Sequence, residues 1–599
     1  MAVIPVVGGA FKKNWTTMYL AQLNIFNFRK LLKAELQFQP GLNIVVGANN
    51  VGKTAVVDAL RALLAGHDEP YPRLDIEDVH RSLGGKPVGD IVFHYIFRDL
   101  NIDDEADFLA ALKPDGQGKM EAHFTIRYSK VDQTSRLRPK RWCGDHEDVG
   151  LTTDMMENLR GVYLPPLRDA AQGLKPSRTS QLARLFHLLA DDVGRDGINE
   201  ALKNLDDDLK KHKPVLDTHN AIKGRHQSML GLQLAQALNL ELSGSDFQRL
   251  AARLSILVDA FEIEQNGLGF NNLIFMAVVL SELSKNPEAS YRGLIIEEPE
   301  AHLHPQLQAV LLSYLETIKA VERERPVQIF VTSHSPNFAS IANLNSLACL
   351  VDTGDKVETF FPRNVTFSKG KREKLERYLD VTRAEIFFAR RVIFVEGAAE
   401  LMLISVLAEK AGFKLREHGV SLISVEGLNF DSFMPLFGVT ALKIPVALIT
   451  DADPMSQPAD GSKPQALYPA VDDAVAVSDN TAKMKAAEDV LVKVFHGVKT
   501  LEYDLALHAD NRTAMLQALK DLHPQIGEGV EVAVAAAADD AAKAKALFRG
   551  MFEREQNNVQ KGRFGQALAQ VLADGAPCKV PDYILNAIKH ACQTAVAKP

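Results

Sequence analysis

Polar and apolar residues alternate over 20–25 and again over 34–38, the period-two pattern of half-buried strands. Residues 41–46 read as a buried strand and 54–64, rich in alanine and leucine, as a helix. A hairpin is predicted over 121–143, ending in a basic run that contains Arg136, Arg138, Lys140 and Arg141. From 177 to 240 the pattern changes to charged, helix-favouring sequence almost free of β-branched runs, which predicts an inserted helical subdomain. Strand-like sequence returns at 254–258 and 261–263. Helix 271–284, strand 293–297, helix 304–321 and strand 327–332 follow, the alternation of an α/β domain. Residues 365–379 are polar and basic and read as a linker. A second α/β series then begins, with strand 391–395, helix 399–411, strand 420–425, a helix near 430–437 and strand 444–450. The alanine-rich stretch 532–548 predicts a helical excursion.

At 599 residues the chain is too long for one ordinary core, so this double series reads as separate domains. Lys and Arg number 68 against 76 Asp and Glu, a formal charge of −8. That balance excludes a polycationic nucleic-acid coat but leaves room for a local basic groove. The four cysteines, Cys143, Cys349, Cys578 and Cys592, form no C-x-x-C pair. They argue against a disulfide scaffold or zinc ribbon and for a reducing cytoplasm. No apolar run reaches the roughly 18 residues that span a bilayer, so no membrane association is expected. The opening residues lack the basic start of a signal peptide.

Residues 47–54 match G-x-x-x-x-G-K-[ST] at every fixed position, between a predicted strand and a predicted helix. Gly47, Asn49, Asn50 and Gly52 would let backbone amides wrap a phosphate. Lys53 would neutralise the β- and γ-phosphates, and the Thr54 hydroxyl would ligate Mg²⁺. The strand at 293–297 ends in Glu297 and Glu298; the first would hold the metal and the second polarise the attacking water. The next strand ends in His334, placed to sense the γ-phosphate. Together these residues resemble the ABC-type ATPases of DNA repair and chromosome maintenance, in which one head completes the other head's site. That resemblance implies a signature turn at Gly267 and Gly269, contacting nucleotide in trans. Tyr163 to Arg168 resembles a loop of these ATPases, with Arg168 a candidate γ-phosphate partner.

A second acidic constellation follows the linker. Strand 391–395 ends in Glu396-Gly397, and Glu400 opens the next helix; strand 444–450 ends in Asp451-Ala452-Asp453. Residues i and i+2 of an extended segment face the same way, so both aspartates can enter one site with Glu396. Four converging carboxylates repel unless cations bind, which implies Mg²⁺ or Mn²⁺. E-G-x-x-E followed by D-x-D resembles the Toprim pattern of topoisomerases, primases and nucleases. An ABC-type head followed by Toprim resembles the OLD (overcoming lysogenisation defect) family of ATP-dependent nucleases, in its longer form. That resemblance implies further metal-site positions at Thr500 and Glu502 and a basic residue near the scissile phosphate at Lys561.

The expectation is thus an α/β protein: an ABC-type P-loop ATPase head with an inserted helical dimerisation subdomain, then a Toprim domain with a helical insert. The head is placed at 1–170 and 246–365, its insert at 171–245, a linker at 366–389 and Toprim at 390–599, with its insert near 510–560. The resemblance implies a homodimer that takes ATP with one metal ion and binds two ions in the Toprim site. It further implies DNA as substrate, with Glu298, His334, Glu396 and Lys561 in catalysis, a helicase encoded alongside, and phage defence or DNA processing. The alternatives are an ATP-gated DNA clamp, or a Toprim topoisomerase or primase-like enzyme. The basic runs at 136–141 and 369–374 are candidate phosphate contacts.

Overall fold

Helix Lys53–Leu64 lies between two sheets, and its apolar side chains explain why. Ala55, Val56, Val57, Ala59, Leu60, Ala62, Leu63 and Leu64 are all buried, so it is apolar around most of its circumference and needs cover on both sides. One cover is an antiparallel sheet of Leu31–Gln37, Tyr19–Phe28, Ile91–Arg98, Met120–Lys130 and Leu112–Pro114, with Leu137–Cys143 also paired to Met120–Lys130. The other is a sheet in the order Val357–Phe360, Leu347–Asp352, Leu42–Val46, Gln328–Ser333, Tyr291–Glu297 and Leu159–Leu164. Within it all neighbours run parallel except the first pair. The computed structural model describes residues 17–593 apart from 66–70, 83–84, 131–134, 167–172, 232, 241–245, 260, 286–288, 319–324, 355, 428, 457–462 and 472.

A third sheet follows in the second half, wholly parallel, in the order Val420–Ser424, Arg391–Val395, Val446–Thr450 and Val492–His496. Strand periodicity divides its side chains between two cores. Ile393, Val395, Ala447 and Ile449 face the C-terminal helices. Val392, Phe394, Val446, Leu448, Val492 and Val494 face the other way, into a core that also holds Ile44, Val46, Ile296 and Val331 of the mixed sheet. The two α/β series therefore share one apolar interior.

Two sequence expectations change here, and a third is refined. The segment 366–389 is polar at its start but is no free linker. It forms helix Lys371–Tyr378 and a 3₁₀ turn Arg383–Phe387, and it seats Leu375, Leu379, Ala384, Ile386 and Phe387 in the shared core. The strands expected at 254–258 and 261–263 shrink to Leu257–Val258 and Phe261–Glu262, which pair only with each other. The alanine-rich stretch is helical as expected, divided between two helices. Pro524–Ala536 stops, and Asp539 caps Asp540–Phe552 by accepting from the Ala542 amide.

Helices Asp192–Leu209 and Lys213–Leu230, within the expected insert, contain no buried residue. No helix among the described residues is long and apolar enough to cross a membrane. All four cysteines are free.

Candidate active sites

Three neighbouring parallel strands deliver the first constellation to one sheet edge. Leu42–Val46 ends in the phosphate loop, Gln328–Ser333 beside it ends before His334, and Tyr291–Glu297 beyond that ends in the paired glutamates. Gly47 has φ +154°, and a Cβ there would stand 2.6 Å from the Leu350 carbonyl oxygen, so only glycine fits. Lys53 donates to the Gly47 and Ala48 carbonyl oxygens at 2.7 and 3.0 Å. Its ammonium thus folds over the loop that would hold phosphate. Burial lowers its pKa, against an opposing pull from Glu298 and Glu300.

Glu297 accepts from the Tyr163 hydroxyl at 2.5 Å and also bonds the Thr54 hydroxyl. Burial raises its pKa despite these bonds. Tyr163 reaches it because Ile295 and Tyr163 are register partners on adjacent strands, and Arg61 covers the tyrosine ring at 4.0 Å. Arg168 lies outside the described residues. Glu298 takes a left-handed backbone (φ 46°), and its carboxylate meets His334 Nδ1 at 3.2 Å. Glu300, absent from the sequence expectation, accepts from Ser333 Oγ at 2.7 Å and from the His334 amide at 3.2 Å. It fixes the turn that carries the histidine. A third acid in E-E-P-E was the available signal.

Gly269 sits in the first turn of helix Leu268–Lys285, where a Cβ would meet the His302 carbonyl oxygen at 2.6 Å. Gly267 meets no such obstacle. Leu268 and Phe270 flank Gly269 and are more than half exposed.

The second constellation stands at the carboxyl edge of the four-stranded sheet. Glu396 Oε1 accepts from Thr450 Oγ1 at 2.6 Å and from the Asp451 amide at 2.9 Å, which joins two adjacent strand ends. Glu400 is buried in helix Ala398–Lys410. Asp453 has φ 42°, and the Asp451 carboxylate accepts from the Leu501 amide at 3.3 Å. Glu502 is fully buried, with Oε2 taking Thr500 Oγ1 and Lys561 Nζ, each at 3.0 Å. Its Oε1 has no hydrogen-bond partner. The structure therefore brings together Glu396, Glu400, Asp451, Asp453, Thr500, Glu502 and Lys561.

Charge crowding marks this site. Burial, Glu396, Glu502 and Asp453 hold the Asp451 carboxyl well above its usual range, with Lys561 opposing. Glu400 is raised by burial and by Glu502 and Glu396. Partial burial works against the Lys561 charge, but Glu502, Asp451 and Glu400 more than offset it and raise its pKa. Among the described residues no three acidic, histidine or cysteine side chains form a preformed metal cage. The cluster is an open array of hard oxygen donors with one orphaned buried oxygen, the chemistry that suits a divalent cation such as Mg²⁺. Sequence reasoning also missed Asp504. Burial pushes this carboxyl to about 7, and it holds the loop before Thr500 through the Val498 and Lys499 amides.

The candidate basic contacts are largely engaged within the chain. Lys140 pairs with Glu147, Arg141 lies over Tyr71, Lys371 pairs with Asp431, and Arg372 pairs with Glu376.

Residues 18–135 and 169–339 match the AAA ATPase domain, and residues 387–453 match the TOPRIM domain of overcoming lysogenization defect protein-like proteins. An OLD nuclease of Thermus scotoductus is 26% identical over 392 residues, covering 63% of this chain and 71% of that one. The endonuclease GajA of Bacillus cereus is 21% identical over 535 residues, covering 73% and 77%. Among solved structures, the C-terminal region of the Burkholderia pseudomallei OLD protein aligns at 25% identity and TM-score 0.23, over 34% of this chain and 97% of that one. The chain thus joins an AAA ATPase domain to an OLD-like TOPRIM domain, and over more than half of its length it is similar to an OLD nuclease and to the endonuclease GajA.

Proposed function

We propose that the protein is an ATP-hydrolysing, divalent-metal-dependent DNA endonuclease acting in phage defence or DNA processing. The observation that carries this reading is the crowded carboxylate array at the carboxyl edge of the second parallel sheet, with Lys561 set among the acids. Two Mg²⁺ or Mn²⁺ ions, when bound, would supply Lewis acidity and a hydroxide nucleophile for phosphodiester hydrolysis. Glu396, Glu400, Asp451, Asp453, Thr500 and Glu502 would hold them. Lys561 is positioned to offset charge that builds on the phosphate under attack. Tyr503 is fully buried and Tyr583 half-buried, packed against the C-terminal helical core, which suits hydrolysis rather than a covalent tyrosine intermediate.

In the head, Lys53 and the loop amides would bind the nucleotide phosphates, and Thr54 and Glu297 would hold the accompanying metal ion. Glu298 would polarise the attacking water, and His334, 3.2 Å from that carboxylate, would sense the γ-phosphate. Gly267 and Gly269 belong to a turn that would meet the nucleotide of a second copy, with exposed Leu268 and Phe270 beside it. The two helices without a buried residue supply the arm through which the homodimer forms. A helicase encoded alongside is a further partner of this reading.

The test is supercoiled plasmid incubated with Mg²⁺ or Mn²⁺. Wild type is expected to nick or linearise it, and Asp451→Ala to leave it intact. Equal behaviour of the two proteins would overturn the nuclease assignment. Lys53→Ala is expected to abolish phosphate release, and retained turnover would sink the phosphate-loop assignment.

A further inference from the structure

Lys499 stands one residue before Thr500, and its side chain is not solvated as lysines usually are: the residue is 4% exposed. Its ammonium lies 4.7 Å from the ring centroid of Tyr468 and 5.5 Å from that of Phe548. A second ammonium, that of exposed Lys545, sits 4.8 Å from the same Tyr468 ring. Among the described residues neither lysine forms an ion pair with a carboxylate. Glu553, which the Tyr468 hydroxyl reaches, is also engaged by Arg549. Lys561 closes the row: it pairs with Glu502 and lies 5.9 Å from the Phe552 ring.

Two cations facing one aromatic ring repel each other, and rings alone are weak compensation for a largely desolvated ammonium. The arrangement therefore suits an anion. Its position is also set with respect to the acidic cluster. The Lys499 carbonyl accepts from the Ala452 and Asp453 amides at 2.8 and 3.3 Å, and its amide donates to Asp504. The chain that carries this ammonium is bolted to the turn that carries Asp451 and Asp453.

We infer that Lys499 and Lys545, on the wall of Tyr468, Phe548 and Phe552, form a binding position for a backbone phosphate of the DNA strand next to the one cleaved. This rests on the nuclease reading and deepens it. Lys561 serves the phosphate under attack, whereas Lys499 and Lys545 set the register of the strand beyond it. They are positioning residues, and the contact carries no base preference because ammonium groups read charge alone.

The test measures duplex binding by the full-length protein in EDTA, by fluorescence anisotropy over 50–200 mM KCl. Each phosphate contact contributes about 0.9 to the slope of log Kd against log[KCl]. Lys499→Gln and Lys545→Gln are each expected to lower the slope by about one and to weaken binding several-fold at 100 mM salt, whatever the DNA sequence. Lys499→Arg should keep the slope. In the plasmid assay the Gln variants should raise KM more than they lower kcat. Slopes equal to wild type in both Gln variants would overturn the proposal and leave Lys499 a packing residue. Should Lys499→Gln melt far below wild type, exposed Lys545 decides alone by the same slope. Failure of wild type to bind or cut DNA at all would remove the nuclease reading, a result distinct from unchanged slopes in a protein that cuts.

Discussion

The two candidate active sites end parallel strands in the same way and are built on opposite principles. The nucleotide cradle is shaped by backbone: Gly47 admits no Cβ, and Lys53 is satisfied by the loop's own carbonyls. The Toprim cluster is shaped by side-chain charge: Asp451, Glu400 and Glu502 crowd together, with Lys561 as partial relief. The lysine of one site is satisfied within its own loop, whereas the carboxylates of the other repel one another, a repulsion that cations would relieve. Substitutions should therefore separate stability from activity in opposite ways at the two sites.

The largest effect is expected at Asp451. Asp451→Asn should cut DNA cleavage by more than about a hundred-fold, beyond the loss from an outer-shell partner. Without divalent metal it should nonetheless melt higher than wild type, by on the order of 2 °C, because a repelled carboxylate is gone. A lower melting temperature would show that the Asp451 carboxylate stabilises the fold instead of straining it. At the cradle the two readouts should fall together. Gly47→Ala should abolish phosphate release and destabilise the fold by about 1–3 kcal/mol, since a Cβ meets the Leu350 carbonyl. Unchanged melting would show that the loop is less rigid than its geometry. Tyr163→Phe should slow ATP turnover by about tenfold and leave plasmid cleavage in excess metal unchanged. It removes one bond to Glu297 and no charge.

The smallest effect calibrates the others against ordinary acid lability. His94, 3.2 Å from His123, is held down to about 4 by burial and that neighbour. In the unfolded chain its pKa is about 6.5. The unfolded state thus takes up the proton first, and the stability His94 contributes above about 6.5 is lost as pH falls toward 4. Melting followed from pH 7 to 5 should show a loss on the order of 1 kcal/mol that His94→Gln removes. A loss that persists in His94→Gln belongs to other groups.

Sequence and structure agree best where chemistry is local. The phosphate loop is legible because its glycines, lysine and threonine act within eight residues, and E-G-x-x-E and D-x-D are legible as strand ends. Tyr163 is not, because its partner Glu297 is defined by strand register, 134 residues away. Lys499 hides for a similar reason. Its rings come from Tyr468 and from Phe548 in the inserted helices, and nothing adjacent announces a buried cation. The linker misreads because its first half is polar and basic, while Leu375, Ile386 and Phe387 become core only in the presence of two sheets. The short pair at 257–262 shows the converse: alternation predicts strand without naming a partner.

The shared interior limits how these halves can be exchanged among relatives. Phe387 and Phe394 share their surroundings with Ile44 and Val331 of the head, and the phosphate-loop residues Ala48, Asn49 and Val51 face Phe387 and Phe388 across a narrow cavity. Interiors of this kind are close-packed, so a methylene gained on one side must be lost on the other. A Toprim half grafted from a relative would bring its own bumps to a surface moulded by a different head. Where the TOPRIM match begins, at residue 387, the interior is continuous in volume, so changes on its two sides constrain each other.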